Sequence, residues 1–258
     1  MSDAKVRLGG MALANGVLVH GPSAWACAVR TDDGELKVVA RRKRFSGAKI
    51  ESPLLRGPAR LADALSIVPQ IRHALPEARL PFQRRGVLAA MVGSAVVVRL
   101  VRSSTRLGPA AQELASGLLS AAPAALALRG PDVAAYHGAE HISIGTYEHG
   151  KRAEREHERC GSHLLGPLLA TTAVANTLAA HAPVHLRTAA RVGAQFAAVA
   201  ASTEIFGWMV RNPDKALARA LAKPGHELQH RIATAEPTPA QIEVAEAALA
   251  ACLELERT

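Results

Sequence analysis

Four long runs almost without charge set the first limit on what this chain can fold into: residues 86–98, 114–128, 161–186 and, broken once by Glu204, 192–210. A helix rises 1.5 Å per residue and needs about 20 apolar residues to cross a hydrocarbon layer, so the first two runs are too short to span. The run 161–186 is long enough, yet it carries His163, Pro167, Asn176, His181, Pro183 and His185, an expensive load inside lipid. The residues alone therefore favour a buried helical bundle over membrane spans. The apolar content is 49% but the aromatic content only 3%, so the apolar matter is mostly Ala, Leu and Val, which suits closely packed helices.

Strand grammar is confined to the start. Residues 16–40 read GVLVHG, then WACAVRT, a turn at Asp32-Asp33-Gly34, then ELKVVA; an Asp-Gly turn between β-rich runs predicts a hairpin. Helices are expected from about Pro58 onward. Asn212-Pro213 should open one that stops at Pro224-Gly225, and Thr238-Pro239-Ala240-Gln241 should cap a last one in which Ile242, Ala245, Leu249 and Cys252 share a face. The expected class is α+β: a β-rich basic region with a small antiparallel sheet over 1–57, then a mainly α-helical body over 58–258, the two integrated as one domain.

Cys27, Cys160 and Cys252 are odd in number and widely spaced, and no secretory signal precedes them, which predicts free thiols and a cytoplasmic setting. The formal charge is +9, and residues 1–60 hold 11 Lys/Arg against 5 Asp/Glu, densest at Arg41 to Arg44. Such an edge can meet anionic lipid, less readily RNA because few aromatics accompany it, or be merely solvated.

Two histidine motifs carry the chemistry. In YHGAEH, residues 136–141, a helix would put His137 and His141 one turn apart, with Glu148 on the same face and Glu140 about 60° aside. His157 and Cys160 follow as an H-x-x-C pair, a spacing that can grip one ion from a tight turn. Imidazoles with a thiolate suit zinc or another divalent transition metal, so His137, His141, His157 and Cys160 are the expected ligands. Four protein ligands would close a zinc site; with one fewer, Glu140 could serve as general base in metal-assisted hydrolysis. The bland reading is a surface histidine helix before a charged loop. Gly138 and Gly145 weaken the helix. The second motif, HELQH at 226–230, has the letters of a zinc peptidase. Its position after the expected stop at Pro224-Gly225, and close before Pro237 and Pro239, leaves little room for the long helix such a site uses.

Several segments together resemble the YqhQ-like family of bacterial proteins (DUF1385), a domain of unknown function described as predicted metal-dependent: GGMALANGVLVHGP (9–22), SPLLRGPARL (52–61), YHGAEHISIGTYE (136–148), HERCGS (157–162), Glu204, and PGHELQHRIATAEPTPAQIEVA (224–245). The resemblance implies that His137, Glu140, His141, Tyr147, Glu148, His157, Arg159, Cys160 and Gly161 belong to family motifs, as do Leu228 and Gln229, whereas His226 and His230 stand where other residue types are usual. Met11 and Asn15 replace the family's Gln and Glu, His20 replaces an Arg, and the Glu148–His157 segment is shorter. Relatives commonly carry membrane-spanning helices, which implies attachment of 86–128 and 161–210 to the cytoplasmic membrane, against a soluble cytoplasmic alternative. Two functions are thus expected: a metal-dependent hydrolase, or a non-catalytic membrane-associated scaffold with a structural metal.

Overall fold

The computed structural model describes residues 5–104 and 106–257, so residues 1–4 of the expected N-terminal region lie outside the described residues. Strands β1 (Gly9–Leu13), β2 (Gly16–His20), β3 (Ala24–Arg30) and β4 (Leu36–Arg42) pair in chain order as an antiparallel meander. The Asp-Gly turn closes β3 onto β4: Gly34 sits at φ 86° and donates its N–H to Thr31 O at 3.0 Å. The edge strand β1 escaped the sequence reading, its glycine-rich start giving no β signal. Along β3, Ala26 and Ala28 point to one side of the sheet and Trp25, Cys27 and Val29 to the other, and all five are buried. A strand covered on both faces reads as a continuous apolar run, which is why WACAV shows no alternation.

Helices complete the two coverings. Helix α1 (Pro53–Leu65) leads into α2 (Ile67–Ala74), and Ile67, Ile71, Leu75 and Leu80 pack on the Trp25 face. Helices α3 (Arg85–Ser103), α4 (Pro109–Leu128), α5 (Pro131–His149), α6 (Leu165–Ala180), α7 (Arg187–Arg211), α8 (Ala216–Leu228) and α9 (Pro239–Arg257) follow. On the other face Val133, Tyr136 and Ala139 of α5 and Ala245, Leu249 and Cys252 of α9 close the core. The last helix starts as expected, with Thr238 N–H donating to Gln241 Oε1 at 2.9 Å and Gln241 N–H donating to Thr238 Oγ1 at 3.3 Å. All three cysteines are free.

Two local expectations fail. Helix α8 does not stop at Pro224-Gly225; it runs through both and continues into a π-helical turn, Gln229–Ala233. Proline removes one backbone bond there, while Gly225 seats the helix against the backbone of Ser162 and His163, so tertiary contact outweighs the local break. Nor does α5 suffer from its glycines, since Val133 to Gly145 are buried without interruption.

The expected buried bundle is also reversed. Helices α3 and α4 pack on one another, as do α6 and α7, and α4 meets α6. One residue from each joins a polar chain: Arg102 pairs with Glu113 at 3.4 Å, Asn176 Nδ2 donates to Glu113 Oε2 at 2.6 Å, and Gln195 Nε2 donates to Asn176 Oδ1 at 2.8 Å. The large apolar side chains face outward instead, among them Val92, Leu100, Leu118, Val174, Leu178 and Val192. Helix α3 is long and apolar enough to cross a membrane, and almost none of it is buried.

A methyl group on Gly138 would collide with the carbonyl oxygen of Ala235. Helix propensity alone predicts that Gly138→Ala gains about 1 kcal/mol. The packing predicts the opposite sign, a loss of about 1–3 kcal/mol, which denaturant unfolding of the variant beside the parent chain measures.

Candidate metal centre

Helix α5 is walled by β1 and α9 on one side and the π-helical turn on the other, and it carries two of the expected ligands inward. His137 Nδ1 lies 2.8 Å from Ala233 O, and His141 Nδ1 lies 2.7 Å from Arg155 O. A carbonyl oxygen can only accept, so each Nδ1 carries the proton and each Nε2 is left with its lone pair. Both Nε2 atoms turn toward Cys160, whose Sγ lies 3.4 Å from His137 Nε2; the three donor atoms all fall within 4.8 Å of one another. A tetrahedral zinc ion with ordinary Zn–N and Zn–S bonds would hold nitrogen and sulfur about 3.6 Å apart. The donor types suit such an ion and the His137–Cys160 spacing is close to that value, and backbone carbonyls behind the imidazoles are the support that ligating histidines use.

Glu140 stands beside this trio, with Oε2 3.5 Å from His141 Nε2 and the side chain almost wholly buried. Its carboxylate rests on Gly10 of β1, where a Cβ would strike it. Burial pushes the Glu140 carboxyl up to about 8, opposed by nearby His137. Burial, and then His137, holds His141 down to about 2, and burial raises the Cys160 thiol. Low dielectric thus keeps all three neutral in the protein alone, the state in which His141 offers its lone pair. A cavity of about 170 Å³ adjoins the cluster, bounded by Gly9 and Gly10, His20, Ile144 and Arg159.

His157 stands apart from the trio. Its Nδ1 accepts the Arg159 N–H at 3.2 Å and its Nε2 faces Glu148 Oε2 at 3.2 Å, so both ring nitrogens are engaged. Glu148 in turn pairs with the Arg159 guanidinium. Of the four expected ligands the structure brings His137, His141 and Cys160 together and holds His157 in an ion-pair bracket on one side of the cavity. In HELQH, His226 and His230 share the carboxylate of Glu156, at 3.2 and 2.8 Å, while Glu227 turns away to Arg231 at 2.7 Å. Both rings are more than half exposed, at 57% and 58%.

The residue that sequence reasoning undervalued is Gln229, noted only as matching a family pattern. It is fully buried at the first position of the π-helical turn. Its Oε1 accepts the His157 N–H at 2.9 Å, its Nε2 donates to His157 O at 3.2 Å and to Ser162 Oγ at 2.7 Å, and it meets His163 Nδ1 at 3.3 Å. One amide therefore fixes both ends of the loop that presents Cys160. A buried amide in a fully polar environment has no signature in single-sequence spacing; the only hint was a glutamine inside an otherwise basic turn. Of the departures from the family pattern, Met11 packs toward the Trp25 core and Asn15 fastens Arg30 O, Glu77 O and the Arg79 N–H, both away from the cluster, while His20 lines the cavity.

The segment bearing this site matches a described family. Residues 131–255, from the start of α5 almost to the end of α9, match the model of DUF1385, a protein of unknown function, and this places that segment in the family. No curated protein and no solved structure matches the chain.

Replacing Gln229 by Ala should cost about 1–3 kcal/mol through unpaired partners and free the Cys160 loop. Unfolding titration, together with faster alkylation of Cys160 by iodoacetamide, is the expected pair of outcomes.

Proposed function

We propose that the protein binds one divalent transition metal, zinc by donor type, through His137, His141 and Cys160, and that the site performs metal-assisted hydrolysis. The observation that carries this reading is a three-donor cluster, not a four-donor one, opening on a cavity with a buried carboxylate beside it. Three protein ligands is the number used by catalytic zinc sites, whereas structural ones use four. A metal held here would supply Lewis-acid polarisation of a substrate oxygen. The chain supplies the rest. Glu140 is the group placed to take and return a proton at its Oε atoms. The Arg159 guanidinium at the cavity wall can orient an anionic substrate group.

Metal analysis of the purified chain should find about one ion per chain. His141→Ala and Cys160→Ser should each lose it, and Glu140→Gln should keep it while losing hydrolysis of any ester, amide or phosphoester that the parent cleaves in a substrate panel. Full metal content in both ligand variants would refute the assignment.

A second reading concerns place, and a separate observation favours it: the four-helix bundle buries mainly small and polar residues, among them Ser116, Asn176, Ala179, Ala198 and Ser202, and turns its large apolar side chains outward. Small and polar residues at helix contacts, with large apolar ones outward, is the distribution of helices packed in lipid. In this reading α3, α4, α6 and α7 sit in the cytoplasmic membrane, their ends marked by Arg84 and Arg85 on one side and by Arg102 and Arg191 on the other. The greater positive charge lies on the side of the sheet, which orients the candidate centre to the cytoplasm. A scaffold with a structural metal shares this placement and differs in lacking turnover. Expressed in bacteria, the chain should stay in the membrane pellet through alkaline carbonate washing; full recovery in the low-salt supernatant would end the membrane reading.

A further inference from the structure

Helix α1 is built inside out. At 100° per residue, Leu54, Leu61 and Leu65 fall within an arc of about 40°, and with Leu55 they form an apolar stripe exposed at 64%, 47%, 60% and 49% respectively. The polar side of the same helix faces the protein. Arg56 pairs with Glu204 of α7, Asp63 Oδ2 accepts the Gly47 N–H at 2.5 Å, and Gly57 is pressed against Thr203 so closely that a Cβ would overlap its side chain. An amphipathic helix in water turns its leucines to the core; this one is anchored through its polar face and turns them away from it. The basic end of β4 is tied to its last turn, since Lys43 Nζ donates to Asp63 O at 3.1 Å and to Ser66 Oγ. Arg41, Arg44, Lys49 and Arg60 are exposed around that junction. Helix α1 packs on α7, one of the four helices of the bundle.

We infer that α1 is an interfacial helix that lies in the headgroup region of an anionic bilayer, its four leucines in the acyl boundary and the basic strand end over the phosphates. Leucines on one side and clustered Arg/Lys beside them are the two attractions that hold such helices at a membrane surface. The occupant is lipid and not a second copy of the chain, because the exposed rim carries Arg41, Arg44, Lys49 and Arg60 against Glu51, and two such positively charged rims would repel. This inference rests on the membrane reading of the bundle but can fail without it.

The test uses the full chain reconstituted in vesicles of phosphatidylcholine with or without phosphatidylglycerol. Bimane is placed on Leu61→Cys in α1 and, separately, on Val92→Cys in α3. The labelled parent chain, in which Cys27 and Cys252 are buried, serves as the blank. The expected result is a blue-shifted emission at position 61 that nitroxide-bearing lipids quench, more strongly with phosphatidylglycerol present, the difference disappearing in Arg41→Glu/Arg44→Glu. Quenching at 92 with none at 61 overturns the α1 inference and leaves the bundle reading standing; quenching at neither overturns both. A blue shift at 61 that lipid nitroxides do not quench and that grows with protein concentration means self-association, and also overturns it.

Discussion

Two backbone carbonyls decide how the buried histidine cluster is arranged. Ala233 O and Arg155 O each accept a proton from the Nδ1 side of an imidazole, and by doing so they turn the lone pairs of His137 and His141 toward the same point as the Cys160 thiol. Neither carbonyl is free by accident. Ala233 ends a π-helical turn, whose wider bonding pattern leaves terminal carbonyls uncommitted and which recurs at functional sites. Arg155 lies in the loop that Gln229 and the Glu148–Arg159 pair hold down. The sheet, the last helices and the basic loop are thus joined at the cluster, and a shift in any of them changes the direction in which a lone pair points.

This dependence explains how much was legible beforehand. The one-turn spacing of His137 and His141 follows from helical geometry alone, and Cys160 was within reach by chemistry, so the donors could be named from residue types. The contact His157 makes with Glu148 was not legible, because it depends on a side chain nine positions away in sequence and on the fold of the loop between them. The hairpin at Gly34 and the cap at Thr238 were readable because their signals are local. The stop expected at Pro224 was not, since a backbone bond lost to proline weighs less than the contact Gly225 makes with residues some sixty positions earlier in the chain.

The bundle and α1 share a further lesson. Periodicity reports that a helix has an apolar side; it does not report which way that side turns. In α1 the glycine and the arginine, not the leucines, make the tertiary contacts, and in the bundle small and polar residues such as Ser116, Asn176, Ala179, Ala198 and Ser202 are buried while valines and leucines lie outside. Both inversions are consistent once the surrounding medium is apolar, because the cost of exposing leucine vanishes there and the cost of an unpaired amide rises.

The contact between Glu140 and Gly10 carries an implication for how such a protein can change over time. The acid that flanks the donors leans on bare backbone from an edge strand lying about 130 positions upstream of it, beyond the stretch that matches the family model. Any side chain acquired at that glycine would meet the Glu140 carboxylate directly. The heritable unit of this cluster therefore extends back into the first hairpin, and drift in those opening residues should be as tightly constrained as drift in the histidines themselves.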